Sequence, residues 1–263
     1  MEERVLSVAV HAARAVGALL RGARRAQKHA RIKGHRNDPV TAFDRLAEDL
    51  LVEAIDSAFP ADGILSEEGA SRDSDSGYRW VIDPLDGTNN FLRGYPHFAV
   101  SIGVLRGDEP RVACIYDPLR DELFTGRAGA GAFLNNEKIT VSPQATLDAA
   151  LIGVGLSSLP ERALRTHDTA RGLLPRARAV RTGGCACLDL AYVACGRLDG
   201  SWYASLSPWD VAAGILLVQE AGGRVSDLAG RPLADPQGGI LATNGRIHDE
   251  MIALVGRDGT RDA

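Results

Sequence analysis

The sequence predicts an α/β (α+β) protein with mixed sheets, and three stretches carry that prediction. Apolar residues recur at helical spacing over residues 4–27. Strand-length apolar runs joined by turn residues fill residues 98–141. From about Leu147 strand and helix patterns alternate. The change of texture sets a boundary near residue 145. Residues 1–145 form an N-terminal α+β subdomain and residues 146–263 a C-terminal α/β subdomain. With 263 residues the chain is long enough for one large domain or two coupled ones.

In the first helix Val5, Ala9, Ala12, Val16, Leu19 and Leu20 share a face opposite arginines. A basic cluster from Arg21 to Lys33 then runs into Lys33-Gly34-His35-Arg36-Asn37-Asp38-Pro39, a loop by composition. Thr41 opens a second helix with Phe43, Leu46, Ala47, Leu50, Leu51 and Ile55 on its apolar face. Thr41 and Asp44 are spaced as a capping box, and Phe59-Pro60 ends the helix. A short strand, Gly63 to Leu65, leads to Ser66-Glu67-Glu68-Gly69, and residues 70–77 are a polar loop. Tyr78 to Ile82 is a buried strand, and Asp83-Pro84 ends it because Pro84 has no N–H for a ladder. Strands follow at 98–106, 111–116 and 122–125, a glycine-rich turn series at 126–131, and short strand material at 133–141. The second part reads strand 150–154, helix 160–174, strand 178–182, helix 186–195 and strand 199–203. A helix from Ser207-Pro208-Trp209-Asp210 is stopped by Gly222-Gly223. A strand at 239–243 and a helix at 249–255 complete it.

Composition narrows the function. Hydrophobic residues make up 45%, charged residues 24%, and the net charge is −4, so nothing invites nucleic acid or an anionic membrane. Arg4, His11 and Arg14 interrupt the N-terminal apolar residues. That pattern predicts neither a signal peptide nor an apolar run near the ~18–20 residues needed to span a bilayer. Cys114, Cys185, Cys187 and Cys195 lack a zinc-type CxxC pair, and buried thiols in a reducing cytoplasm fit them.

The chemistry concentrates in Trp80-Val81-Ile82-Asp83-Pro84-Leu85-Asp86-Gly87-Thr88-Asn89-Asn90-Phe91. Two carboxylates at a strand end can converge on a hard cation such as magnesium. N–H groups after Asp86 favour an anion such as phosphate. Taken alone, each aspartate is also an ordinary turn or cap residue. Glu67 and Asp210 lie at other element ends, though Asp210 also reads as a plain N-cap and Asp44 as a first-turn carboxylate. Brought together, Glu67, Asp83, Asp86 and Asp210 would repel unless two or three divalent ions offset their charge. Paired metals suit in-line displacement at phosphorus. Glu67 and Thr88 are candidates to orient the attacking water, and a hydrogen bond from Thr88 to Asp44 would fix the hydroxyl proton. The Asp-x-Asp-Gly-Thr signature of aspartyl phosphatases fails, because Pro84 occupies the nucleophile position. There is also no Gly-x-Ser-x-Gly elbow. A metal- or phosphate-binding protein without turnover is the non-enzyme alternative.

These motifs resemble the inositol monophosphatase family. The stretch from Trp80 to Phe91, followed by Pro96, is similar to its first signature, and Trp209-Asp210-Val211-Ala212-Ala213-Gly214 to its second. Ser66-Glu67-Glu68 resembles its Gly-Glu-Glu, and Asp38 to Asp44 its early loop-helix motif. The resemblance covers roughly residues 5–255. It implies a layered αβαβα sandwich, magnesium dependence with two or three ions, lithium inhibition, a homodimer and a small phosphorylated polyol, sugar or nucleotide as substrate. By position it implies metal ligation by Glu67, Asp83, Asp86, Asp210 and the Leu85 carbonyl. It implies phosphate held by Gly87 and Thr88, a water-activating pair Asp44 and Thr88, and Lys33 in a mobile loop. Gly184, Cys185, Ala186 and Asp210 would meet the rest of the substrate. Tyr203 stands where the family often has an inositol-binding glutamate. That departure opens the choice to relatives' substrates: fructose 1,6-bisphosphate, histidinol phosphate or adenosine 3′,5′-bisphosphate.

Overall fold

The computed structural model describes residues 1–23, 30–32, 39–155 and 160–256. The outermost layer holds α1 (Glu2–Ala23) and α2 (Ala42–Ala58). Between them in sequence come two short paired strands, β1 (Ala30–Ile32) and β2 (Pro39–Thr41). Lys33 lies outside the described residues, as do residues 24–27 of the predicted first helix.

One expectation needs correcting. By length and composition α1 could cross a bilayer. Arg4, His11 and Arg14 break the run in sequence but share the outer face of the helix. Its inner face, Val5, Ala9, Ala13, Val16 and Leu20, is buried against α2 and the sheet behind.

That sheet has eight strands: β3 (Gly63–Ser66), β4 (Ser71–Arg72), β5 (Tyr78–Asp86), β6 (Ala99–Arg106), β7 (Glu109–Asp117), β8 (Glu122–Arg127), β9 (Gly131–Leu134) and β10 (Glu137–Ile139). A short helix, α3 (Thr88–Arg93), joins β5 to β6. The order is β10-β9-β8-β7-β6-β5-β3-β4. All its pairs are antiparallel except β3 with β5. β5 does not stop at Asp83. A bulge between Asp83 and Asp86 shifts its register on β6, so Pro84 costs no ladder bond and the strand runs on to Asp86. Within the polar loop, Ser71 and Arg72 form β4 because β3 offers them an edge.

The rest of the chain supplies β11 (Leu151–Gly155), α4 (Pro160–Leu173), β12 (Ala179–Arg181), α5 (Ala186–Ala194), β13 (Gly200–Tyr203), α6 (Pro208–Glu220), β14 (Arg224–Ser226), β15 (Ile240–Thr243) and α7 (His248–Val255). A second sheet has the order β12-β11-β13-β15-β14, parallel over the first three. Helices α5 and α6 pack against each other between the two sheets, and α4 and α7 cover the far side. The result is a five-layer αβαβα sandwich. Its apolar interior is continuous with this layering: one cluster lies under α1 and α2, one around α5 and α6, and one under α4 and α7.

Candidate active site

The parallel pair β3 and β5 creates the centre of the site. Ser66 is registered opposite Ile82, so the next residues, Glu67 just past the end of β3 and Asp83 at the bulge of β5, lie side by side. The Glu67 N–H donates to the Ile82 carbonyl at 3.3 Å. Asp83 is buried. Burial, then the charges of Glu67, Asp86 and Asp210, hold its carboxyl well above the usual carboxylate range. Its Oδ1 accepts the Leu85 N–H at 3.0 Å, a turn that shapes the bulge. The bulge swings Asp86 round to the same pocket. Burial raises Asp86 too, opposed by N–H groups of Cys187 and Ala186 and by the thiols of Cys187 and Cys185.

Asp210 arrives from α6. Pro208 fixes the first turn, and Asp210 closes a capping box by accepting the Ser207 N–H at 2.7 Å. Because α6 packs on β5 and β6, its first turn faces the bulge. Burial, then the Asp86 charge, raises Asp210, with Glu67 adding to it.

The fifth acid, Asp44, is buried in the first turn of α2. One of its oxygens takes the Thr41 N–H at 2.8 Å and also the Thr41 hydroxyl. The other accepts the Thr88 hydroxyl at 3.1 Å. The Thr88 oxygen is also 3.1 Å from the Leu85 carbonyl, so its single proton is shared between two acceptors. Thr88 reaches this position because Gly87 turns the chain at φ 94°, a left-handed conformation that side chains strain to adopt.

On the substrate side Asn90 ties the two halves together. Its amide donates to the His97, Gly183 and Gly184 carbonyls at 2.7, 2.9 and 3.2 Å. This brings Gly184, Cys185 and Ala186, at the start of α5, beside Asp86. Tyr203 points inward instead. It is buried, and its hydroxyl donates to Asp189 at 2.6 Å. Its ring fills the space over Gly155, where an added Cβ would fall 1.7 Å from it.

The donor set suits a hard divalent cation: carboxylates from three elements converge, and Glu67 and Asp86 raise the proton affinity of both Asp83 and Asp210. The Inositol monophosphatase family model matches residues 1–258. The chain belongs to that family. It is 44% identical over 229 residues to the inositol-1-monophosphatase of a Synechocystis species, covering 83% of this chain and 77% of the relative. It is 43% identical over 244 residues to the Nus factor SuhB of Xylella fastidiosa, covering 90% and 88%. Among solved structures, the extragenic suppressor protein suhB from Bartonella henselae superposes with a TM-score of 0.91 at 37% identity, covering 99% of this chain and 100% of that one. As an inositol monophosphatase family member the chain is a phosphoric monoester hydrolase.

Some residues of this family member are silent in sequence. Asn90 looks like a turn residue, and only the crossing contact to Gly183 reveals its task. Asp189 does carry a signal: it is a lone acid inside an apolar helix. Burial lifts its carboxyl to about 7, partly offset by the Tyr203 hydroxyl. A folded-state value above the unfolded 3.8 means its stabilising contribution is complete below about pH 4 and lost as pH rises towards 7. Asp189→Asn keeps an acceptor for Tyr203 and removes this loss. Its melting temperature is expected to exceed wild type at pH 8, by at most about 4 kcal/mol of stability, with the gain gone near pH 4. Thermal melts across that range check it, and a gain unchanged with pH would reject it.

Proposed function

We propose that the chain hydrolyses small phosphate monoesters with magnesium, and that inositol monophosphate is its leading substrate. The observation that carries this reading is the clustering of Glu67, Asp83, Asp86 and Asp210, in which Glu67, Asp86 and Asp210 press charge on Asp83, and Asp86 and Glu67 on Asp210. These four and the Leu85 carbonyl would hold two or three ions. When bound, the ions supply positive charge for the phosphoryl oxygens and lower the cost of forming hydroxide from water. Gly87 and Thr88 bind phosphate through their N–H groups at the start of α3. Asp44 draws the Thr88 proton towards itself, which leaves the Thr88 oxygen able to accept a proton from the attacking water. Glu67 orients that water from the opposite side. Attack is direct, with no phospho-enzyme.

Asp210 and the Gly184–Ala186 turn meet the alcohol part of the substrate. Tyr203 does not offer its hydroxyl there, since Asp189 holds it. Selectivity for inositol therefore rests on Asp210 and the α5 turn, and fructose 1,6-bisphosphate, histidinol phosphate and adenosine 3′,5′-bisphosphate remain as rival substrates. We place the protein in the cytoplasm as a homodimer, lithium-sensitive, with no nucleic-acid or membrane partner. A Nus-factor role is a second reading, supported by 43% identity to the Xylella fastidiosa protein of that name. The residues above do not bear on it.

A panel of these four esters, assayed for phosphate release with magnesium and again with lithium added, tests the proposal. Release is expected from inositol 1-phosphate above the others. A different leading ester would overturn the substrate. Tight metal and phosphate binding without release from any of them would favour a binding protein.

A further inference from the structure

Beside the carboxylates lies a second donor set of different chemistry. One oxygen of Asp86 and the sulfurs of Cys185 and Cys187 lie within 4.8 Å of one another. The two sulfurs are 3.8 Å apart. Residues two apart would diverge within a helix. Here Cys185 is the extended N-cap of α5 (φ −148°, ψ 103°) and Cys187 lies within its first turn, so both thiols face the same way. Both hydrogen-bond to Asp86, which also takes the Cys187 N–H at 2.6 Å.

This spacing matches a metal better than a disulfide. A tetrahedral ion with metal–sulfur bonds of about 2.3 Å sets its sulfurs about 3.8 Å apart. A disulfide would require them to close to about 2.05 Å. Magnesium does not take thiolates, whereas zinc takes two with a carboxylate and keeps an open position. Asp86 is partly exposed while the thiols are buried, so an ion reaches the thiols past Asp86.

We infer that Asp86, Cys185 and Cys187 form a thiolate-rich site for zinc that withdraws Asp86 from the magnesium cluster and switches the enzyme off. Binding replaces the two S–H protons, which pass to solvent, and the carboxylate contributes the third ligand. Chelation of zinc returns both thiols and Asp86 to their present arrangement. The inhibitory part of this inference rests on Asp86 being a magnesium ligand; the binding part does not.

Cobalt is the spectroscopic probe. The reduced full-length chain, titrated with Co2+, is expected to develop a near-ultraviolet thiolate charge-transfer band that saturates at one ion per chain and is displaced by Zn2+. Cys185→Ser and Cys187→Ser should each lose most of the band, and Cys195→Ser should keep it. Zinc inhibition, scored against each variant's own zinc-free rate, should weaken by about tenfold or more in Cys187→Ser, a loss of about 1.4 kcal/mol of zinc affinity. In wild type it should ease as magnesium is raised. No band at saturating cobalt, or a band intact in both cysteine variants, overturns the site. A band of the expected kind with no zinc inhibition keeps the site and overturns the magnesium role of Asp86. Melting curves of each variant confirm that a lost band is not a lost fold.

Discussion

Asp83→Asn is expected to reduce turnover by at least about 10²–10³-fold while raising the melting temperature of the metal-free protein. Both effects have one cause. Asp83 is buried, and Glu67, Asp86 and Asp210 press charge upon it. Asparagine keeps the Oδ1 acceptor for the Leu85 N–H and removes the charge. The sign with pH follows from the raised folded-state value. The wild-type residue contributes its full stability below its unfolded value of 3.8 and loses it as pH rises through the folded one. The variant's advantage therefore grows from acid to neutral pH and vanishes near pH 4. A gain of a few degrees is expected, since about 1 kcal/mol moves the midpoint by roughly 2–4 °C in a chain of about this size. Magnesium should reverse the ranking, stabilising wild type more than the variant. Near-wild-type turnover in Asp83→Asn would remove the metal assignment altogether.

Asp44→Asn should be the second most damaging change, and in a different way. Asp44 spends one oxygen on the Thr41 N–H and hydroxyl and the other on the Thr88 hydroxyl. Asparagine has one acceptor oxygen, so either the cap or the Thr88 contact is lost. A lost cap costs about 1 kcal/mol of stability. A lost Thr88 contact frees its proton to point elsewhere, and turnover should fall by about 10²–10⁴-fold, the usual worth of a positioned acid–base group. The magnesium affinity should stay within about threefold of wild type, because Asp44 is not among the proposed ligands. Calorimetric titration with magnesium beside kinetics separates the two. An affinity that falls with the rate would move Asp44 into the metal cluster.

Much of the site is legible because its chemistry sits at element ends that short-range rules mark. The Thr41–Asp44 capping box, the Pro208 start of α6 and the stop at Gly222 are local features, and they recur in the fold. What escapes is what depends on distant partners. The continuation of β5 through Pro84 requires β6 to accommodate a bulge. β4 and β14 are short strands that exist only because β3 and β15 offer edges. The inward turn of Tyr203 is decided by the absence of a side chain at Gly155 and by an acid on α5. The meeting of Cys185 and Cys187 with Asp86 depends on how α5 docks against the bulge, and no spacing rule for metal sites describes it.

The central claim is that a cluster of carboxylates at the ends of β3, β5 and α6 performs phosphate ester hydrolysis through magnesium. The most direct measurement is phosphate release from inositol 1-phosphate by chelator-treated protein as magnesium is restored stepwise. No release is expected before magnesium is added, followed by a rise to full activity that Asp83→Asn cannot follow. Release that persists undiminished in the presence of chelator would contradict the account.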